Sequence, residues 1–337
     1  MKEVLLYERL DDEKTRCKTC AHNCVIGVGK RGICGVRENR NGRLYALNYG
    51  KVVAEHIDPI EKKPLFHFLP GSRSYSIATV GCNFRCLFCQ NADISQMPHE
   101  TGIIYGRDRT PDDILKATIN NQCASISYTY TEPTIFLEFA LDIMKLARPH
   151  RIANVFVSNG FMSPETCKEL APVLDAANID LKSFRDEFYK KMCGARLSPV
   201  LDTLTRLKKA GVWIEVTTLI IPGHNDDPAE LRDIARFVAS LGKETPWHVT
   251  RFHPAYRLLN ASITPISTLV RAREIGLEEG LEFVYTGNVP GEKWENTYCP
   301  SCQTVVIERF GFMSRLVRID NGHCGNCGRP IAGVWKC

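Results

Sequence analysis

The chain has 337 residues, of which 44% are hydrophobic and 24% charged, and a formal net charge of +5. These values are typical of a folded globular protein and argue against long disordered segments, while the scattered Lys and Arg residues argue against a nucleic-acid partner. No apolar run approaches the ~20 residues of a membrane span and the N-terminus lacks the apolar core of a signal peptide, so we predict a cytoplasmic protein without a membrane partner.

The N-terminal region, residues 1–70, contains four cysteines spaced C-x2-C-x3-C-x9-C. Four soft ligands this close in sequence indicate a metal site, and the spacing suits zinc and a second iron–sulfur cluster about equally. His22 lies between the second and third cysteines and is an alternative to one of the thiolates. The predicted ligands are Cys17, Cys20, Cys24 and Cys34.

Two further features complete this region. Residues 42–56 alternate apolar and polar side chains around Asn48-Tyr49-Gly50, which predicts a β-hairpin. The proline-rich stretch 58–71 predicts a connector without regular structure, leading into the main domain.

The main domain, residues 71–290, repeats one pattern: an apolar β-branched run, a loop, and a helix opened by a hydroxyl or acidic residue followed by proline. Six or seven such units predict an α/β fold, a partial (β/α)6 barrel whose site gathers where the strands end. The predicted strands are 75–80, 125–129, 154–158, 178–181, 212–220, 248–252 and 281–285, and the helix openings are at Thr110, Ser163, Ser198, Asp227 and Thr264.

The loop after the first of these strands holds Cys82, Cys86 and Cys89, spaced C-x3-C-x2-C. Three thiolates can ligate three irons of a [4Fe-4S] cluster and leave the fourth iron open to an amine and a carboxylate, which S-adenosylmethionine supplies. The alternative is a structural zinc or iron site that takes a further ligand from the other cysteines of the chain.

The last segment, residues 291–337, contains two C-x2-C pairs separated by 21 residues, a spacing that predicts a zinc ribbon. Zinc is favoured over a lone iron because a structural site needs no redox partner. The ligands would be Cys299, Cys302, Cys324 and Cys327. The remaining cysteines are interpreted as ordinary core or surface thiols: Cys123, Cys167, Cys193 and Cys337.

Over nearly its whole length the chain resembles the pyruvate formate-lyase activating enzyme group of radical SAM proteins, and within it the radical SAM members of the AmmeMemoRadiSam system. The resemblance implies that Cys82, Cys86 and Cys89 bind the cluster, and that Tyr130-Thr131-Glu132 replaces a Gly-Gly-Glu segment holding the methionyl amine. It also implies contacts with the ribose and carboxylate end of S-adenosylmethionine from Asn159, Asp180 and Lys182, and with the adenine from Leu219 and His253.

The activity implied by this resemblance is reductive cleavage of S-adenosylmethionine to a 5′-deoxyadenosyl radical that abstracts hydrogen from a substrate. A protein substrate, a ferredoxin or flavodoxin as electron donor, and a Memo-like partner are implied in the same way. Two other functions stay open on the residues alone: radical modification of a nucleic acid or metabolite, and electron transfer by a non-catalytic iron–sulfur protein.

Overall fold

The computed structural model describes residues 1–289, 291 and 293–336. The N-terminal region contains short strands, which are β1 (Lys2–Glu3), β2 (Tyr7–Arg9), β3 (Thr15–Cys17), β4 (Val25–Ile26), β5 (Arg37–Arg40) and β6 (Arg43–Ala46). They form two antiparallel sheets, ordered β1-β6-β5 and β2-β3-β4. This region therefore has its own pairings, separate from the main sheet.

The β-hairpin predicted around Asn48-Tyr49-Gly50 is wrong. Strand β6 pairs with β1 and β5, whereas the strand after the turn, β7 (Lys51–Pro59), pairs within the main sheet. The hairpin lies instead between β5 and β6, at Asn41-Gly42, where both residues have left-handed backbone with φ of 51° and 75°. Asn-Gly favours this two-residue turn because both residues tolerate positive φ.

The main sheet has nine strands. After β7 they are β8 (Arg73–Thr79), β9 (Arg107–Asp108), β10 (Ser125–Tyr128), β11 (Ala153–Ser158), β12 (Ala176–Asp180), β13 (Trp213–Ile220), β14 (Trp247–Arg251) and β15 (Val284–Gly287). Their order is β15-β14-β13-β12-β11-β10-β8-β7-β9. Strands β8 and β10 to β15 are mutually parallel, and β7 runs antiparallel to both of its neighbours, β8 and β9. The predicted α/β fold is confirmed, and its seven parallel strands among the described residues agree with the six or seven units predicted.

The helices are α1 (Ala92–Ser95), α2 (Met97–Glu100), α3 (Pro111–Asn120), α4 (Leu137–Ala147), α5 (Pro164–Leu170), α6 (Asp186–Phe188), α7 (Ser198–Lys209), α8 (Pro228–Ser240) and α9 (Ile266–Glu278). The side chains of Thr110, Ser163 and Asp227 cap α3, α5 and α8 as predicted. The other two predicted caps are wrong: Ser198 lies inside α7, and Thr264 precedes α9 by two residues and bonds Ile220 and Phe252 instead. Among the described residues, no helix is long and apolar enough to cross a membrane.

Residues 58–70, here called the plug, are not an exposed connector. After a short 3₁₀ turn (Ile60–Lys62) the plug runs into the interior of the main sheet, where the backbone N–H groups of Phe66 and His67 donate to the Glu215 carboxylate at 3.0 and 2.8 Å. Asn178 of β12 donates to the Pro64 carbonyl at 2.7 Å. Because side chains inside the sheet satisfy its backbone, the plug is buried without regular secondary structure.

The C-terminal segment forms two small antiparallel sheets beside the plug. Its strands are β16 (Thr297–Tyr298), β17 (Val305–Phe310), β18 (Met313–Leu316), β19 (Ile319–Asp320) and β20 (His323–Cys324). Phe66 packs in one apolar cluster with Tyr285 and Ile307, and Val334 pairs through its backbone with His67 and Leu69 at 2.7 Å. The C-terminal segment thus holds the plug in place.

Candidate active site

One cavity of ≈ 500 Å³ lies at the carboxyl ends of the parallel strands. Residues at or just after the ends of β10, β11 and β12 face it, together with the cysteine loop and the start of the plug. Carboxyl ends of parallel strands meet at one edge of a sheet, so residues distant in sequence converge there. The wall includes Cys82, Cys86, Cys89, Tyr130, Thr131, Glu132, Asn159, Asp180, Lys182, Leu219, Lys62, Lys63, Thr217, Thr250 and Asn288.

The three-cysteine loop is fixed by a short π-helix, Tyr189–Cys193. The N–H groups of Arg85 and Leu87 donate to the carbonyls of Cys193 and Met192 at 2.8 and 2.9 Å. These bonds leave the thiols facing the cavity on a backbone that cannot shift independently of the π-helix. The loop is therefore preorganised for a ligand.

The three thiols differ in their surroundings. Burial raises the pKa of Cys82 and of Cys89. The pKa of Cys86 is lowered, because a hydrogen bond with Cys193 and the Lys182 charge outweigh the opposing effect of burial. A bound metal supplies the positive charge that a buried thiolate needs. The set is suited to binding metal rather than to free thiolate chemistry.

Glu132 joins the ends of β10 and β11. Its Oε1 accepts from Ser158 Oγ at 2.7 Å and from Thr134 Oγ1 at 2.6 Å, and its Oε2 accepts from Asn159 N–H at 2.8 Å. Burial raises the pKa of Glu132, although these hydrogen bonds oppose the rise. The carboxylate therefore fixes the cavity wall as well as facing the cavity.

Asn159 transmits this order to the cysteine loop. Its Nδ2 donates to Asn83 Oδ1 at 2.7 Å and lies 3.8 Å from Cys82 Sγ. Asn83 is fully buried and its own Nδ2 has no hydrogen-bond partner among the described residues. A buried donor without a partner is energetically costly, so this amide is available to a group bound at the neighbouring thiol.

Asp180 and Lys182 form an ion pair, 2.7 Å between Nζ and Oδ2, at the end of β12. The Lys182 side chain is 13% exposed, and its Nζ lies 5.9 Å from the Phe88 ring centre. Burial lowers the pKa of Lys182, but the negative charges of Asp180 and Cys86 outweigh burial and raise it. A fixed cation and carboxylate beside three thiols can orient a zwitterion.

A second buried ion pair faces the cavity from the plug. Lys63 Nζ lies 2.6 Å from Asp58 Oδ2, and the Tyr130 hydroxyl donates to the same oxygen. The backbone at Tyr130 has φ +65°, the left-handed region that favours glycine. Tyr130 thus keeps a glycine-like backbone while adding a hydroxyl bond to the plug.

Comparison with known proteins agrees with this arrangement. The family model described as the radical SAM superfamily matches residues 76–238. Uncharacterized protein MJ0808 of Methanocaldococcus jannaschii is 50% identical over 334 residues, covering 98% of this chain and 99% of that protein. The pyruvate formate-lyase 1-activating enzyme of Escherichia coli K12 is 23% identical over 181 residues, 51% of this chain and 71% of the enzyme. This chain contains a radical SAM domain.

One similar solved structure supports the fold alone. Streptococcus suis SuiB bound to its precursor peptide SuiA has a TM-score of 0.51 and 15% identity, over 68% of this chain and 51% of SuiB. The superfamily implies S-adenosylmethionine and a [4Fe-4S] cluster. Three thiols and the Asp180–Lys182 pair around one cavity fit that cofactor pair.

The predicted site residues of the radical SAM domain converge on this cavity with one exception. The three loop cysteines, Tyr130-Thr131-Glu132, Asn159, Asp180, Lys182 and Leu219 all line it. His253 does not: it is exposed and absent from the wall, where Thr250 and Asn288 lie instead.

Three of the residues that sequence analysis missed come from the plug. Lys62, Lys63 and Pro64 line the radical SAM cavity. The segment contains two lysines and two acidic residues, but no local pattern in it indicates that they reach the site. Charged residues in such a segment pair readily when it is buried.

The C-terminal cysteines gather around one point. The Sγ atoms of Cys299, Cys302, Cys324 and Cys327 all lie within 4.8 Å of one another, with Cys299–Cys327 at 3.6 Å and Cys302–Cys324 at 3.7 Å. Such a set fits a tetrahedral ion. Of the other cysteines, Cys123, Cys167 and Cys193 are buried, and Cys337 lies outside the described residues.

The N-terminal cysteines also converge, on a different cavity. Cys17, Cys20, Cys24 and Cys34 line it together with Arg37 and other residues. His22 reaches the same cavity, but its Nε2 lies 2.8 Å from the Asn83 carbonyl of the radical SAM loop. This bond directs one ring nitrogen away from the thiols.

Proposed function

We propose that this protein holds a [4Fe-4S] cluster on Cys82, Cys86 and Cys89 and cleaves S-adenosylmethionine reductively beside it. The observation that carries the proposal is the shared cavity: three thiols, a fixed cation and two carboxylates face one space at the strand ends. A simple electron-transfer protein has no need for a cavity of ≈ 500 Å³ beside its cluster. The geometry therefore favours an enzyme.

The residues have separate tasks in this proposal. Lys182 and Asp180 orient the charged end of S-adenosylmethionine, Asn159 and Glu132 hold the wall and the cysteine loop, and Leu219 packs against the adenine. The adjacent plug closes the floor and excludes water, which protects radical chemistry from side reactions. When bound, the cluster and S-adenosylmethionine supply a 5′-deoxyadenosyl radical for hydrogen abstraction.

The proposed substrate is a protein. The support comes from the relative whose name is pyruvate formate-lyase 1-activating enzyme, which spans half of this chain. A low-potential one-electron donor of the ferredoxin or flavodoxin class supplies the electron. Membership in the AmmeMemoRadiSam system, with a Memo-like partner, stays a prediction of the resemblance.

We also propose zinc as the C-terminal ion. With Zn–S bonds of about 2.3 Å, four thiolates of a tetrahedron lie roughly 3.8 Å apart, close to the separations of 3.6 and 3.7 Å between opposite pairs. The ion would link the two C-x2-C pairs and so support the apolar contacts of the C-terminal segment with Phe66.

The test is 5′-deoxyadenosine formation by anaerobically reconstituted protein with dithionite. We expect product from the wild type and from Cys123→Ala, a buried thiol outside the cavity, and none from the Cys82→Ala/Cys86→Ala/Cys89→Ala variant. Equal product from that variant would refute the cluster assignment. No product from wild type with a full cluster, in the presence or absence of cell-extract protein, would favour the electron carrier.

A further inference from the structure

We propose that Cys17, Cys20, Cys24 and Cys34 bind a second [4Fe-4S] cluster, packed directly against the radical SAM loop. The four cysteines come from β3, from the loop that follows it and from the turn before β5, yet all face one cavity. Three of them are buried and Cys24 is half-buried. Four thiols directed into one enclosed space are a ligand set rather than unrelated core residues.

The separation of the thiols distinguishes a cluster from a single ion. Among the described residues, only the C-terminal cysteines gather within 4.8 Å of one another, as one tetrahedral ion requires. No three of the N-terminal thiols are that close, and neither are the three of the radical SAM loop. A [4Fe-4S] cluster places each thiolate on a different iron and so spreads the ligands. The N-terminal set therefore lacks the close grouping of a single-ion site, as the radical SAM loop does, and this favours a cluster over zinc.

The cavity also presents a free donor. Arg37 is 1% exposed, and its two Nη atoms bind the Glu138 carboxylate at 3.0 and 2.9 Å. Its Nε faces no hydrogen-bond partner in the described chain, although Arg37 lines the cavity. Hydrogen bonds to cluster sulfurs are a recognised means of setting reduction potential, so the Arg37 N–H has a role once sulfide is present.

Contact between the two cysteine sites is direct. A Cβ added at Gly81, next to Cys82, would lie 3.2 Å from the Cys34 carbonyl oxygen and 2.8 Å from Val36. His22 Nε2 lies 2.8 Å from the Asn83 carbonyl of the same loop. The residues around the N-terminal cavity therefore pack closely against the radical SAM loop.

This contact suggests an electron route. A one-electron donor of the ferredoxin or flavodoxin class would reduce the second cluster, which would return to its oxidised state by passing that electron to the cluster on Cys82, Cys86 and Cys89. The route rests on the proposed function, whereas the second cluster itself does not.

The site is tested by iron, sulfide and zinc analysis of the full chain after anaerobic reconstitution. We expect about eight irons and eight sulfides per wild-type chain, and about four of each in two variants: Cys20→Ala/Cys34→Ala, and Cys82→Ala/Cys86→Ala/Cys89→Ala. Cys167→Ala, which removes a buried thiol elsewhere, should keep about eight. About four irons in the wild type and none in the loop variant, or a second zinc lost with Cys20 and Cys34, would overturn the proposal.

The loop variant keeps this test decisive if the N-terminal variant fails to fold, because its remaining sulfide can come only from a second cluster. Electron paramagnetic resonance of the reduced wild type should show spectra broadened by coupling between two neighbouring clusters, and each variant a single unbroadened signal. Uncoupled signals in the wild type would contradict close packing of the two clusters. Absence of 5′-deoxyadenosine would refute the proposed function while leaving these iron counts unchanged.

Discussion

At the scale of single residues, the plug places charges where charges are costly. Lys63 and Asp58 are 1% and 4% exposed, and the carboxylate is shared with Lys62 and the Tyr130 hydroxyl. Burial would raise the pKa of Asp58, but the hydrogen bonds from Lys63, Tyr130 and Lys62 hold it well below its usual range. Each partner therefore depends on the others to remain ionised inside the protein.

Replacing Lys63 should be far more damaging than replacing its neighbour. Lys63→Ala leaves a buried carboxylate with its nearest cation removed, so we expect the free energy of unfolding to fall by about 3 kcal/mol. Lys62→Ala removes a cation that bonds the same carboxylate from a 42% exposed position, so its effect should stay below about 1 kcal/mol. Urea unfolding followed by circular dichroism measures both, and equal effects would contradict this account.

His67 should make stability depend on pH. Burial lowers the pKa of His67 to about 4, and the neutral ring donates through Nδ1 to the Ala332 carbonyl and accepts through Nε2 from the Tyr285 hydroxyl. As pH falls below the ordinary value of 6.5, the unfolded chain binds a proton that the folded chain excludes. Stability should therefore fall between about pH 6.5 and pH 4, by about 2 kcal/mol from pH 7 to pH 5.

His67→Gln should remove this part of the pH dependence, while His150→Gln, at an exposed site, should leave it intact. Glu215, Arg309 and His248 are charged or titratable groups that act on the ring, and all remain in both variants. Urea midpoints at pH 7 and pH 5 give the comparison. The same pH slope in His67→Gln and wild type would show that another group is responsible.

At the scale of elements, the parallel strands were predictable because buried strands require near-continuous β-branched and apolar residues. Helix starts were predictable where a side chain caps locally, as at Asp227, and failed at Thr264, whose hydroxyl is used by a tertiary bond to Ile220. The misplaced hairpin has a similar cause. Alternation across residues 42–56 was real, but β7 finds its partner in β8, which no local pattern reveals.

Gly81 should be essential to the junction between the N-terminal region and the cysteine loop. Its φ is +105°, and an added Cβ would meet Val36 at 2.8 Å. We expect Gly81→Ala to displace the loop and at least halve iron binding. Gly223→Ala is the matched control, because its φ is +74° but nothing lies within 4 Å of the added carbon. Similar iron content per chain in the two variants would contradict a role for close packing.

At the scale of the whole molecule, the site was predictable where function dictates residue type and unpredictable where topology supplies the partner. Three thiols at one strand end and Asp180-Leu181-Lys182 at another indicate chemistry without a structure. Nothing local shows that Lys63 enters the same cavity, because that depends on the plug passing through the sheet interior. His253 follows β14 closely in the sequence, but its side chain is exposed to solvent and lies outside the cavity wall.

The C-terminal metal should stabilise the molecule beyond its own segment. We expect Cys299→Ser/Cys324→Ser to lose about one zinc per chain. The melting temperature should also fall, because Phe66 and Tyr285 lose the packing that the two C-x2-C pairs support. Iron content should not change. Cys123→Ser, which changes a buried thiol outside the three cysteine sites, should keep its zinc and its melting temperature. Unchanged zinc in the double variant would contradict the assignment.

The bonds between the plug and the C-terminal segment have a consequence for synthesis on the ribosome. His67 bonds the carbonyl of Ala332, 265 positions later, and the backbone of Val334 pairs with the residues on either side of Phe68. A nascent chain can form β8 to β14 long before residue 332 has been made. It cannot yet form the hydrogen bonds that hold the plug beside the ligand cavity. Products of premature termination would therefore carry the cysteine loop beside a plug that the C-terminal segment does not hold in place. A cluster inserted during translation would reach the cavity before the plug is fixed.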